Sequence, residues 1–174
     1  YNMLRLTKML YATSADAKYM DYYERALFNH ILSTQDPVQG GFVYFTPMRS
    51  GHYRVYSQPQ TSFWCCVGSG LENHARYGEM IYAHKGDEQL YVNLFIPSTL
   101  KWGDINIEQS TSFPDEEATN VIVTSKNGKN KKFTLNIRVS EWVIASELSL
   151  TINGKAEKVD ISEGYVKINR SWKS

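Results

Sequence analysis

The sequence predicts an α + β fold, with helices from part of a helical array first and an antiparallel β-sandwich after them. Three observations predict it. Apolar residues recur at helical spacing through about residue 84. From about residue 88 they alternate with polar ones, most cleanly in Thr134-Leu135-Asn136-Ile137-Arg138-Val139, as a half-buried strand requires. Asn127-Gly128 and Asn153-Gly154 then read as hairpin turns between such strands. Helices followed by strands, rather than alternating with them, place the two kinds of element in separate layers or domains. The expected division is 1–87 and 88–174.

Residues 1–12 carry Met3, Leu4, Leu6, Thr7, Leu10 and Tyr11 on a helical face. Thr13-Ser14 breaks the pattern, and Ser14 can cap a second helix with Asp16 in its first turn. That helix is expected to reach about Leu32, burying Tyr19, Tyr22, Tyr23, Ala26, Leu27, His30 and Ile31. Two helices with a short joint form an αα-hairpin, the unit of helical bundles and α/α barrels. Residues 33–60 are too long for a plain helix connection and carry Gly and Pro turn signals, with an inserted hairpin expected over 38–60. They hold the extended runs Phe42-Val43-Tyr44-Phe45 and Tyr53-Arg54-Val55-Tyr56, which read as that hairpin. His52, Tyr53 and Tyr56 on it are candidate cleft-lining residues; cross-strand aromatic pairing on a surface hairpin accounts for them equally. After the region that follows, strands are expected at 89–96, 100–102, 105–110, 120–125, 133–139, 148–152 and 164–168.

Composition excludes some functions. A formal net charge of +1 offers no electrostatic footprint for nucleic acid or an anionic membrane. No apolar run approaches the ~20 residues of a membrane span. Aromatic residues are plentiful, with 12 Tyr, 7 Phe and 4 Trp, which suits either sugar stacking or helix packing. Tyr1-Asn2-Met3-Leu4 opens inside a helical pattern without a cap, and residues 169–174 follow a strand pattern without a closing element. Both are expected of an interior segment of a longer protein.

The only two cysteines stand side by side in Ser62-Phe63-Trp64-Cys65-Cys66-Val67-Gly68-Ser69-Gly70-Leu71-Glu72-Asn73-His74. Ser69 and Glu72 have capping-box spacing, which predicts a helix from about Gly70 to His84 with the cysteines just ahead of it. Unpaired N–H groups there stabilise a thiolate. Buried thiols packed as small hydrophobes are the competing reading. A disulfide between neighbours needs strained geometry, and two thiols alone do not complete a structural zinc site.

Tyr1-Asn2-Met3-Leu4-Arg5-Leu6-Thr7, Gly40-Gly41-Phe42-Val43-Tyr44, Ser50-Gly51-His52-Tyr53 and Phe63 through Asn73 together resemble the bacterial cysteine-dependent β-L-arabinofuranosidases. The resemblance implies an (α/α) barrel followed by β-sandwich domains, and a retaining glycosidase with a cysteine nucleophile and a bound zinc. By position, Cys65 matches the nucleophile, and Cys65 and Cys66 match metal ligands. The remaining ligands, a glutamate and a cysteine, and the acid/base glutamate would lie before Tyr1. The implied partners are a plant oligosaccharide or glycan carrying terminal β-linked L-arabinofuranose and the remainder of the same polypeptide. The implied location is periplasmic or secreted, with the cytoplasm as alternative. A partial barrel also implies exposed apolar surface on the first two helices. A non-catalytic carbohydrate-binding module and a thiol-redox or metal-sensing protein stand as alternatives; thiol reactivity separates them.

Overall fold

The computed structural model describes residues 1–172. The chain forms two compact units, one of Tyr1–Ala15 with Tyr19–Glu79, the other of Asp16–Lys18 with the chain from Met80 onward. The fold is α + β.

In the first unit, helix α1 (Asn2–Ser14) buries Leu4, Thr7 and Tyr11, one face at helical spacing. Its second apolar face, Met3, Leu6, Met9 and Leu10, is exposed, with Met9 at 67%. That outward apolar face on α1 is what a partial helical array presents. Ala15, in the left-handed conformation, ends α1 and its N–H returns to the Tyr11 carbonyl at 2.7 Å. Helix α2 (Ala17–Ala26) follows. Ser14 is inside α1 rather than capping α2. Asp16 takes that part instead, its carboxylate accepting from the Lys18 N–H at 3.1 Å. The chain continues helically through a π turn (Leu27–Ile31) and a 3₁₀ turn (Leu32–Thr34). The buried stripe is Ala17, Met20, Tyr23 and Leu27; Tyr22 and His30, expected inside, are exposed. Tyrosines on both sides of α2 made two phases of the same period fit equally well.

The inserted segment is not a regular hairpin. Two isolated bridges, Gln35 with Phe42 and Val43 with Tyr56, hold a two-residue extended run between its neighbours. Helix α3 spans Cys65–His74, and a 3₁₀ turn Tyr77–Met80 follows it. The helix expected to reach His84 thus stops ten residues early, and Tyr82–Lys85 is a strand, β1.

The second unit has two main sheets. Strands β2 (Gln89–Val92), β6 (Lys131–Arg138), β9 (Ile161–Ser162) and β10 (Tyr165–Trp172) join β1 in the order β1-β2-β6-β10-β9. Strands β3 (Ser98–Trp102), β4 (Ile105–Thr111) and β5 (Thr119–Ser125) form an antiparallel meander, and β7 (Leu150–Ile152) pairs with β8 (Lys155–Glu157). All ladders are antiparallel except β2 with β6, where Leu90 stands opposite Leu135. Strand β10 runs on to Trp172, beyond the expected end at 168; Lys173 and Ser174 lie outside the described residues.

Asn153-Gly154 makes the expected turn, both residues at positive φ between the paired β7 and β8. Asn127-Gly128 does not join paired strands. It carries the chain from the meander into the other sheet, and the Asn127 side chain accepts from the Ser125 hydroxyl and the Lys129 N–H at 3.0 and 2.9 Å. The core draws Leu90, Val92, Phe133 and Leu135 from one sheet and Trp102, Ile105 and Ile107 from the other. Phe133 meets the Trp102 ring edge-on and stacks on Trp172, with centroids 5.1 and 5.3 Å away. Phe133→Ala should therefore destabilise the second unit by about 3–5 kcal/mol. Urea unfolding followed by tryptophan emission measures it; an unchanged midpoint would contradict this packing.

Candidate active site

Cys65 and Cys66 are the first two residues of α3, not residues ahead of it. Trp64 is the N-cap, in extended conformation and with no side-chain hydrogen bond to the first turn. Val67 N–H turns back to the Trp64 carbonyl at 3.0 Å, while the backbone N–H groups of Cys65 and Cys66 favour charge on the Cys65 sulfur. Both thiols are free, Cys65 exposed and Cys66 half-buried. Their sulfurs are 3.8 Å apart, well outside bonding distance for a disulfide.

The capping box is overturned. Ser69 lies inside α3, and the Glu72 carboxylate accepts from Arg76 at 3.0 and 3.2 Å and from the Tyr1 hydroxyl. Arg76 also reaches Glu79 at 3.0 Å, and Glu79 pairs with Lys8 of α1. Ser-x-x-Glu spacing is also the spacing of neighbours on a helix face, so the motif alone could not distinguish a cap from a glutamate paired outward with Arg76. The glycines misled similarly. Gly68 and Gly70 are helical, and Gly70 is small because a Cβ there would sit 2.7 Å from the Phe42 ring.

That contact fixes the inserted segment against α3. Phe42 N–H donates to the Ser57 hydroxyl at 3.0 Å and its carbonyl accepts from Ser57 N–H at 2.9 Å. Val43 N–H donates to the Thr34 carbonyl at 2.9 Å. One residue further, Tyr44 brings its hydroxyl to 3.7 Å from the Cys65 sulfur. The Tyr44 ring is met edge-on by Phe45 and Trp64, with centroids 4.6 and 6.1 Å away. Tyr44 was not among the residues expected at the site. Of those that were, His52 and Tyr53 stack on each other at 4.9 Å in the open, and Tyr56 forms the bridge to Val43. Among the described residues, none of these three hydrogen-bonds or stacks with the cysteines.

The two thiols are electrostatically distinct. The Cys65 thiol lies below its ordinary value, chiefly through its hydrogen bond with Tyr44 and then that with Cys66. Cys66 is pushed the other way, first by burial and then by the hydrogen bond and negative charge of Cys65. Of the two, Cys65 gives up its proton more readily.

Spacing tests whether the pair suits zinc. Two thiolates about 2.3 Å from a tetrahedral zinc lie about 3.8 Å apart. The observed 3.8 Å fits two corners of such a site. Among the described residues no group of three or more His, Cys, Asp or Glu side chains stands together, so the other corners would come from outside them.

Residues 1–79 match the catalytic domain of GH127 β-L-arabinofuranosidases, and residues 89–174 match the GH127 middle domain. The helical unit with its thiol pair and the two-sheet unit after it thus correspond to two successive domains of one glycoside hydrolase family. More particularly, the chain belongs to the β-L-arabinofuranosidase family GH127. Among solved structures it is similar to a GH127 β-L-arabinofuranosidase from Geobacillus stearothermophilus T6, with 24% identity and a TM-score of 0.79. It is similar to a GH127 β-arabinofuranosidase, BT3674, at 27% and 0.79, and to a glycoside hydrolase at 23% and 0.81. Each match takes in 98% of this chain, and the chain spans only 29–30% of the length of those relatives. No curated protein matches.

Proposed function

We propose that this chain is the thiol-bearing part of a retaining glycoside hydrolase that releases terminal β-L-arabinofuranose from plant glycans, with Cys65 as nucleophile. The observation that carries the reading is the exposed Cys65 sulfur on the first turn of α3, within the segment that matches a catalytic domain. In the first step the Cys65 sulfur bonds to the anomeric carbon as the glycosidic C–O bond breaks. The departing oxygen takes a proton from a carboxylic acid supplied outside residues 1–172. In the second, water attacks the anomeric carbon, its proton passes to the same carboxylate, and the C–S bond breaks to return the thiolate.

Cys65 and Cys66 would hold zinc, and that ion, when bound, supplies positive charge that favours thiolate. The remaining polypeptide is the partner that completes the ligand set and contributes the acid/base. Residues 42–56 form one wall of the sugar site, with Tyr44 at its base and His52, Tyr53 and Tyr56 further out on the same segment.

A chromogenic β-L-arabinofuranoside assay, with metal analysis, on the 174-residue chain and on the full-length protein tests the proposal. The full-length protein is expected to turn over and to hold zinc stoichiometrically. The isolated chain is expected to do neither, since a general acid–base alone contributes roughly a hundred- to ten-thousand-fold. Turnover by the isolated chain would overturn the division of labour, and an inert full-length protein would overturn the function.

A further inference from the structure

Two adjacent thiols on one helix end sit in nearly the same field of N–H groups, which falls off over a whole turn rather than between neighbours. The dipole of the helix end alone therefore does not fix which of the two sulfurs faces a sugar. We infer that Tyr44 makes the selection: its hydroxyl is the positioning partner that holds the Cys65 sulfur toward the substrate side. This rests on Cys65 being the nucleophile.

The contact is specific to one thiol. Cys65 reaches the Tyr44 hydroxyl at 3.7 Å and the Cys66 sulfur at 3.8 Å, and among the described residues Cys66 has only Cys65 as its side-chain partner. A phenol serves both states of the sulfur. As a thiol, Cys65 donates to the Tyr44 oxygen; as a thiolate, it accepts from the Tyr44 O–H. The reach of Tyr44 is set by close contacts on both sides of its short extended run. At Gly41 a Cβ would lie 2.1 Å from the Ser57 carbonyl oxygen, and at Gly70 one would lie 2.7 Å from Phe42. Phe45 and Trp64 then meet the Tyr44 ring at steep angles, 68° and 76°, limiting its rotation. Trp64 is also the residue before Cys65, so ring and sulfur are located by one short stretch of backbone.

Tyr44→Phe in the full-length protein removes one oxygen and keeps the ring, so its packing persists. Two readouts apply. In metal-free protein, the Cys65 S–H stretching band is isolated as an infrared difference against Cys65→Ser. It should move to higher frequency in Tyr44→Phe as the hydrogen bond is lost. In the zinc-loaded enzyme, kcat should fall about 10- to 100-fold with KM within twofold, the effect of losing one hydrogen bond to a charged group. A band that stays in place overturns the contact, and a shifted band with unchanged kcat overturns the positioning role. Parallel loss of kcat and melting temperature means a structural role and overturns it as well. Turnover retained by Cys65→Ser would instead strike the nucleophile assignment, and the S–H band would still report on Tyr44.

Discussion

In the full-length protein, Cys65→Ser is expected to lower kcat by roughly 10⁴- to 10⁶-fold, the scale on which enzymes lose turnover without their nucleophile. The substitution exchanges one atom and leaves the fold of α3 alone, because Cys65 is exposed on the first turn and serine is at home there. What changes is the chemistry. A serine hydroxyl is almost wholly protonated near neutrality, whereas the Cys65 thiol is already lowered by Tyr44 and by the N–H groups of the turn. Both substitutions remove a candidate zinc donor, so zinc content should fall in each, but Cys66→Ser leaves the attacking sulfur in place and should lose less kcat. Hydrolysis of a chromogenic arabinofuranoside with metal analysis in parallel separates the two. An active Cys65→Ser enzyme, or a Cys66→Ser enzyme with full zinc, would contradict these roles.

Two glycines near the site should respond to alanine with opposite signs. At Gly41 the added methyl carbon would meet the Ser57 carbonyl oxygen at 2.1 Å and its carbon at 3.1 Å, both backbone. Neither atom can move without breaking the Ser57-to-Phe42 hydrogen bonds. Gly41→Ala should cost about 3 kcal/mol or more, the upper end of ordinary overpacking. At Gly68, inside α3, the methyl carbon meets nothing within 4 Å and φ is not positive. There alanine should stabilise by about 1 kcal/mol through helix propensity. Denaturant midpoints of the two variants decide the matter, and a shift of the same sign in both would refute the packing of residues 41–57 described above.

The sequence carried the larger divisions of the fold better than the site. Period in α1 is imposed by a buried face and was legible; in β6 Phe133 and Leu135 are buried as the alternation implied, but the polar Asn136 and Arg138 are buried as well, so the strand is not half-exposed as expected. The Asn153-Gly154 turn was legible because two consecutive positive φ values demand those residue types. The start of α3 was not, because the glycine needed for the approach of Phe42 looked like part of a turn, and an exposed Glu72 paired with Arg76 looked like a cap. The passage of the chain between sheets at Asn127-Gly128 was hidden for a related reason. The dipeptide reports a local bend, while which strands pair afterwards depends on partners far along the chain. Tyr44 was invisible as a site residue because its distance to Cys65 is set by the Gly41 and Gly70 contacts, and these are properties of the folded backbone. The resemblance pointed to Cys65 and Cys66; it did not point to the hydroxyl beside them.

The parallel pairing of β2 with β6 has a kinetic consequence. Neighbouring strands that run the same way cannot be joined by a tight turn. Here the connection is the whole β3–β5 meander together with its flanking loops. Closing so long a segment carries an entropic penalty that no contact offsets until the two strands meet, whereas β3, β4 and β5 zip locally. Assembly of the second unit thus runs from the meander outward, with β6 arriving at β2 as a late event. Until it does, Leu90 and Val92 lie on an unpaired, apolar strand edge, and the nascent chain is most open to misassociation during that interval.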